Sequence, residues 1–105
     1  MDIKRITAAF SALAQETRLL LLGELARAGP DGLAAGAAAE RLGVSASNLS
    51  FHLKELERAG LISARRQGRT IFYAANDLAL GELVKFMFEN LQAARPRVRV
   101  SAERR

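Results

Sequence analysis

The sequence predicts one small domain, mainly α with a small β-hairpin, in which five helices enclose a hydrophobic core. Three observations carry that expectation. Apolar residues recur at helical spacing through most of the chain, twenty of the 105 residues are alanine, and a single stretch near residues 61–74 is rich in strand-forming residues around a glycine turn. A chain of 105 residues suits one domain, and with only 6% aromatic residues it favours thin, close-packed elements over a large aromatic pocket.

Taken in order, Ile3, Ile6, Phe10 and Leu13 form one stripe of an amphipathic helix over residues 2–14, with Asp2 at its positive end. A second helix from Glu16 to about Ala28 runs through Leu19, Leu20, Leu22 and Leu25. It is apolar over much of its circumference and so is expected to be central, and Gly29-Pro-Asp-Gly stops it. Ala35 to Leu42 reads as a short alanine-rich helix ended by Gly43 in a left-handed conformation. Ser45 is placed to cap a fourth helix that runs to Ala59, with Leu49, Leu53 and Leu56 facing the core and Gly60 at its end. Two β-prone runs then flank the turn at Gln67-Gly68, and Asn76 or Asp77 caps a last helix with a broad apolar face at Leu80, Leu83, Val84, Met87, Phe88 and Leu91. Pro96 is expected to end that helix, leaving residues 1–94 as the folded domain and 95–105 as a basic, mobile tail.

Charge and composition exclude several classes of function. The formal net charge is +5, but residues 1–94 carry eleven Lys/Arg against ten Asp/Glu, so the excess sits mostly in the last eleven residues. Overall basicity therefore says little about the folded body, and individual arginines must carry any nucleic-acid argument. With no cysteine there are no disulfides, thiolate metal sites or thiol nucleophiles, and a lone His52 makes no transition-metal site. No Ser/His/Asp order or glycine-rich phosphate loop is present, and Glu55 and Glu57 stand two residues apart, facing different directions on a helix. An enzyme is not expected, nor is a cofactor. With neither a signal peptide nor a spanning segment in the sequence, the expected location is the cytoplasm.

Two helices joined through Gly43-Val44-Ser45 and followed at once by a hairpin compose a winged helix-turn-helix. On the fourth helix Ser45, Ser47, Asn48, Ser50, Phe51, His52 and Lys54 fall on its start and on the outer and flanking faces, where short hydroxyls and amides suit a major groove. Ser47 and Asn48 serve equally well as first-turn capping residues, and for Phe51 packing against neighbours is the preferred reading. His52 has two readings, a donor to DNA or a partly buried group steadying the turn, with the first preferred. Arg65, Arg66 and Arg69 cluster around the hairpin turn with nothing acidic nearby in sequence, so double-stranded DNA is the preferred partner for their charge.

The segments Leu13-Ala-Gln-Glu-Thr-Arg-Leu, Ala39-Glu-Arg-Leu-Gly-Val-Ser, Asn48-Leu-Ser-Phe-His-Leu-Lys-Glu-Leu-Glu-Arg-Ala-Gly-Leu-Ile and Arg65-Arg-Gln-Gly-Arg-Thr-Ile-Phe-Tyr resemble the ArsR family of bacterial winged-helix repressors over roughly residues 3–92. The resemblance implies a homodimer joined through its first and last helices, a palindromic operator, and release of DNA when an inducer binds. It aligns Ser47 to His52 with the reading helix and Arg65, Arg66 and Arg69 with the wing. The chain departs from the arsenical-sensing relatives, whose cysteine pair commonly follows a Glu-Asn near the end of the last helix: here Glu89-Asn90 is followed by Leu91-Gln92. Asp77, Glu82 and Glu89 come without a histidine, so metal sensing is not carried over, and the inducer is unidentified.

A dimer is also expected from the apolar surface itself, since the terminal helices hold more of it than a small core covers. Ile3, Ile6, Phe10, Leu83, Phe86, Met87 and Leu91 are the expected contact residues. The expected function is thus a homodimeric, sequence-specific DNA-binding repressor acting on an inverted repeat. The alternative of another class is a winged-helix protein-interaction module without DNA binding, which needs no arginines on its wing.

Overall fold

The computed structural model describes residues 2–103, with side chains through Asn90. Five helices and three short strands follow in the order α1 (Ile3–Leu13), α2 (Glu16–Ala28), β1 (Leu33–Ala34), α3 (Ala35–Leu42), α4 (Ala46–Arg58), β2 (Ile62–Gln67), β3 (Thr70–Ala75) and α5 (Asp77–Glu103).

Local chemistry sets the helix starts. Asp2 accepts from the Arg5 backbone N–H at 2.9 Å, Gln15 from that of Arg18 at 2.8 Å, and Ser45 from that of Asn48 at 3.1 Å. Each satisfies an amide that has no partner within the first turn. Asn76 does the same for Ala79, and its own Nδ2 donates to the carbonyl of Gly60 at 3.0 Å, so the start of α5 is tied to the end of α4. Gly43 closes α3 at φ 68°, the left-handed geometry expected of it.

The strands form an antiparallel sheet in the order β1-β3-β2, with β1 pairing Leu33 to Tyr73 and Ala34 to Phe72. β1 was not among the expected elements. Two residues in an alanine-rich run have no period to betray them, and the strand exists only through its pairing with β3. Gly32 makes the approach possible: its φ is +76°, and a side chain there would collide with the Tyr73 backbone carbonyl. The hairpin turn lies at Gly68-Arg69, one residue later than expected, because Gln67 still pairs with Thr70.

Leu21, Leu25, Leu49, Leu56 and Leu61 are fully buried, and Ile6, Leu53, Ile62 and Leu83 join them, so α2 and α4 supply the centre of the core. α2 is not buried all round, since Leu19 and Leu20 on its first half are exposed. α5 also departs from expectation by continuing through Pro96 to Glu103. A proline in a helix interior forfeits one N–H bond and crowds the carbonyl four residues back, yet the next turn is free to resume its bonding. The side chains of the basic segment from residue 95, and residues 104–105 entirely, lie outside the described residues.

Candidate nucleic-acid interface

The site is built on α4. Its core stripe comprises Leu49, His52, Leu53 and Leu56, which leaves Ser47, Phe51 and Lys54 in line on the opposite side, with Ser50 beside them and Asn48 on the flank. All five are exposed. Phe51 keeps 58% of its surface open and touches its neighbour only edge-on, with the ring of His52 5.3 Å away at 66°. Packing, the preferred reading for Phe51, is therefore only partial. Ser45 spends its hydroxyl on the cap and shapes the site without being committed to base contact. Arg58, absent from the expected set, closes the outward row four residues after Lys54 and is paired with Glu55 at 2.8 Å. The spacing of 47, 51, 54 and 58 would have found it.

His52 is corrected. It is 7% exposed and belongs to the core side of α4, three residues after Leu49 and four before Leu56. Arg18 on α2 reaches it, with Nη1 3.1 Å from His52 Nδ1, while Nε of the same guanidinium donates to the Ala12 carbonyl at 2.6 Å. A guanidinium only donates, so Nδ1 accepts and the ring is neutral with its proton on Nε2. Burial holds the imidazole below its ordinary value and the Arg18 charge adds to that effect, against a raising influence of Glu55. His52 is a fastening between α2 and the outward-facing helix, and it has almost no surface to offer a base.

The expected arginine cluster is divided by strand alternation. Arg65 stands opposite Phe72 with its Cζ 5.1 Å from the ring centroid, and its guanidinium donates to Gln67 Oε1 at 2.6 Å and to the Asp31 carbonyl at 3.0 Å. It is bound to the sheet and to the loop before β1. Arg66 pairs with Ile71 in the register and so projects to the other face, while Arg69 sits in the turn itself. Neither makes a hydrogen bond or ion pair among the described residues. Arg66 and Arg69 are the wing's available charges, and Arg65 sets the wing's position.

The expected subunit contacts also divide. Ile6 and Leu83 are buried in the chain's own core, and Phe86 packs partly against it. Ile3, Phe10 and Met87 remain exposed, as do Val84 and Phe88, which the expected set omitted; the Leu91 side chain lies outside the described residues. Asp77, Glu82 and Glu89 are exposed along α5, and no three His, Asp or Glu side chains gather as a possible ion site among the described residues. No described helix is long and apolar enough to cross a membrane.

A capped helix presented outward by a turn on its predecessor, with a cation-bearing hairpin immediately after it, defines a winged helix-turn-helix protein, the class that lays one helix in a DNA groove. Residues 13–64 match a family described as a helix-turn-helix domain. The nodulation protein NolR of Rhizobium meliloti is 38% identical over 98 residues, covering 88% of this chain and 78% of the relative. The transcriptional repressor SdpR of Bacillus subtilis is 33% identical over 78 residues, 74% of this chain and 83% of that protein. Among solved structures, an ArsR-like transcriptional regulator from Rhodococcus superposes with a TM-score of 0.74 at 31% identity, covering 96% of this chain and 92% of the other. The chain belongs to the ArsR-like family of winged helix-turn-helix transcriptional regulators.

Proposed function

We propose that the chain is a homodimeric repressor that inserts α4 into the major groove of an inverted-repeat operator and sets its wing against the flanking backbone. The observation that carries this is the outward row of Ser47, Phe51 and Lys54 on a capped helix, beside a wing whose Arg66 and Arg69 have no partner among the described residues. Ser47, Ser50 and Asn48 are short enough to reach base edges, and the face of Phe51 suits a thymine methyl. Lys54, Arg66 and Arg69 serve phosphates, with the amide-rich start of α4 adding to them. The relative SdpR is a transcriptional repressor, which supports the sign of regulation.

Dimerisation follows from what the fold leaves uncovered. Ile3 and Phe10 on α1 and Val84, Met87 and Phe88 on α5 are exposed, with Ile3 at 62% and Phe88 at 59%. A second copy covers such a surface about a two-fold axis and places two reading helices one DNA turn apart, about 34 Å. The protein then works in the cytoplasm on its own chromosome. The test is fluorescence anisotropy with inverted-repeat duplexes from the protein's own locus and scrambled controls, at rising salt. The reading requires tight, salt-dependent binding to at least one repeat and weaker binding to the controls; undetectable or salt-insensitive binding to every duplex would favour a protein-interaction module instead.

A further inference from the structure

Between α1, the start of α2 and the second half of α4 lies an open cavity of about 240 Å³. Ala8, Ala12 and Ala59, small where the three helices meet, supply its apolar lining. Ser11, Arg18, Glu55 and Arg58 supply its polar lining, with two guanidinium groups to one carboxylate. Arg18 uses Nε on the Ala12 carbonyl and Nη1 on His52, and Arg58 uses Nη1 on Glu55. The Nη2 group of each has no acceptor among the described residues. Unused donors on two cations in a cavity partly lined by alanine suit an anion with an apolar body. The cavity's volume, below the ~300 Å³ lower end of drug-sized pockets, sets the ligand at the scale of a small organic acid.

We infer that this cavity is an effector site for a small organic carboxylate, and that its occupation weakens DNA binding. The site stands on its own geometry, and only the consequence for DNA rests on the function proposed above. The sign of that consequence follows from position. Arg58 is both the end of the outward row of α4 and a wall of the cavity, so an anion held there withdraws its charge from a phosphate. Arg18 is the residue that fastens His52, so the same anion acts on the seating of the helix. By linkage, bound DNA then lowers affinity for the carboxylate by the factor that the carboxylate lowers affinity for DNA.

The experiment is a titration of the full chain with benzoate, phenylacetate and hexanoate, followed by amide chemical shifts, with benzyl alcohol as a neutral control. At least one acid is expected to give saturable shifts centred on Ser11, Arg18, Arg58 and Ala59 that benzyl alcohol does not reproduce. Arg58→Gln should weaken that binding roughly ten- to a hundredfold, the usual effect of losing a charge-assisted hydrogen bond. Ala8→Leu, a substitution at an exposed position on the cavity rim, should abolish it by filling the space. Anisotropy with the operator should show the acid releasing DNA from the parent chain and not from Ala8→Leu. Absence of saturable shifts with all three acids, or shifts that survive Ala8→Leu, overturns the site. Saturable binding that leaves DNA affinity unaltered overturns the coupling, and failure to bind any DNA at all leaves the shift measurement to decide the site independently.

Discussion

Arg18 and His52 are joined between α2 and α4, Nη1 to Nδ1 at 3.1 Å, so the outward-facing helix is held from behind by a neutral imidazole. The contact makes the helix's seating depend on one proton. His52 is held below its ordinary value of 6.5, so in the folded chain it takes up a proton at lower pH than in the unfolded chain. Well above pH 6.5 both states are neutral and the contribution is fully present. As pH falls through that value the unfolded chain binds the proton first, and stability declines until the folded form titrates too. Urea denaturation at a series of pH values should show this decline, and His52→Gln, which keeps an acceptor for Arg18, should flatten it. Arg18→Ala should cost about 1–3 kcal/mol at neutral pH by leaving partly buried acceptors unpaired.

The division of labour on the wing is equally open to measurement. Arg66→Ala and Arg69→Ala should each weaken binding to all duplexes and lower the slope of log affinity against log salt by about 1, as expected for a lost phosphate contact. Arg65→Ala should leave that slope nearly unaltered while loosening the hairpin by about 1 kcal/mol, since it removes the stack on Phe72 and the tie to Asp31. Amide exchange in β2 and β3 reads the second effect.

The core and the proposed subunit contact separate by substitution. Leu83→Ala should destabilise the fold by about 2–5 kcal/mol, as for a buried leucine. Phe88→Glu replaces a side chain exposed in the single chain, so it should dissociate the proposed dimer in sedimentation experiments and lower the unfolding midpoint only by the concentration-dependent part that association contributes.

Gly32 should tolerate no side chain. Its positive φ and the Tyr73 carbonyl beside it predict that Gly32→Ala costs about 2 kcal/mol or more and detaches β1 from β3, seen as lost exchange protection at Leu33 and Tyr73.

The features that local chemistry determines are legible in the sequence alone. Ser45 as a cap, Gly43 as a left-handed stop and the paired runs of the wing each follow from a few neighbouring residues. His52 is legible too, for its spacing from Leu49 and Leu56 puts it on the core side, although its polarity alone points to the surface. The rest depended on distant partners. β1 exists only where β3 receives it, and Arg65 parts company with Arg66 only once register and turn position settle strand parity. The apolar stripe of α1 and the broad apolar face of α5 are each wider than the core covers, and only packing reveals that Ile6 and Leu83 fall on the part the chain keeps for itself.

On the proposed function, the outer face of α4 reads base sequence. The decisive measurement is the affinity of Phe51→Ala for the operator and for random duplex DNA, side by side with the parent chain. A reading role predicts a loss of about 1–3 kcal/mol on the operator and almost none on random DNA. Equal losses on both duplexes, or no loss on either, would contradict it.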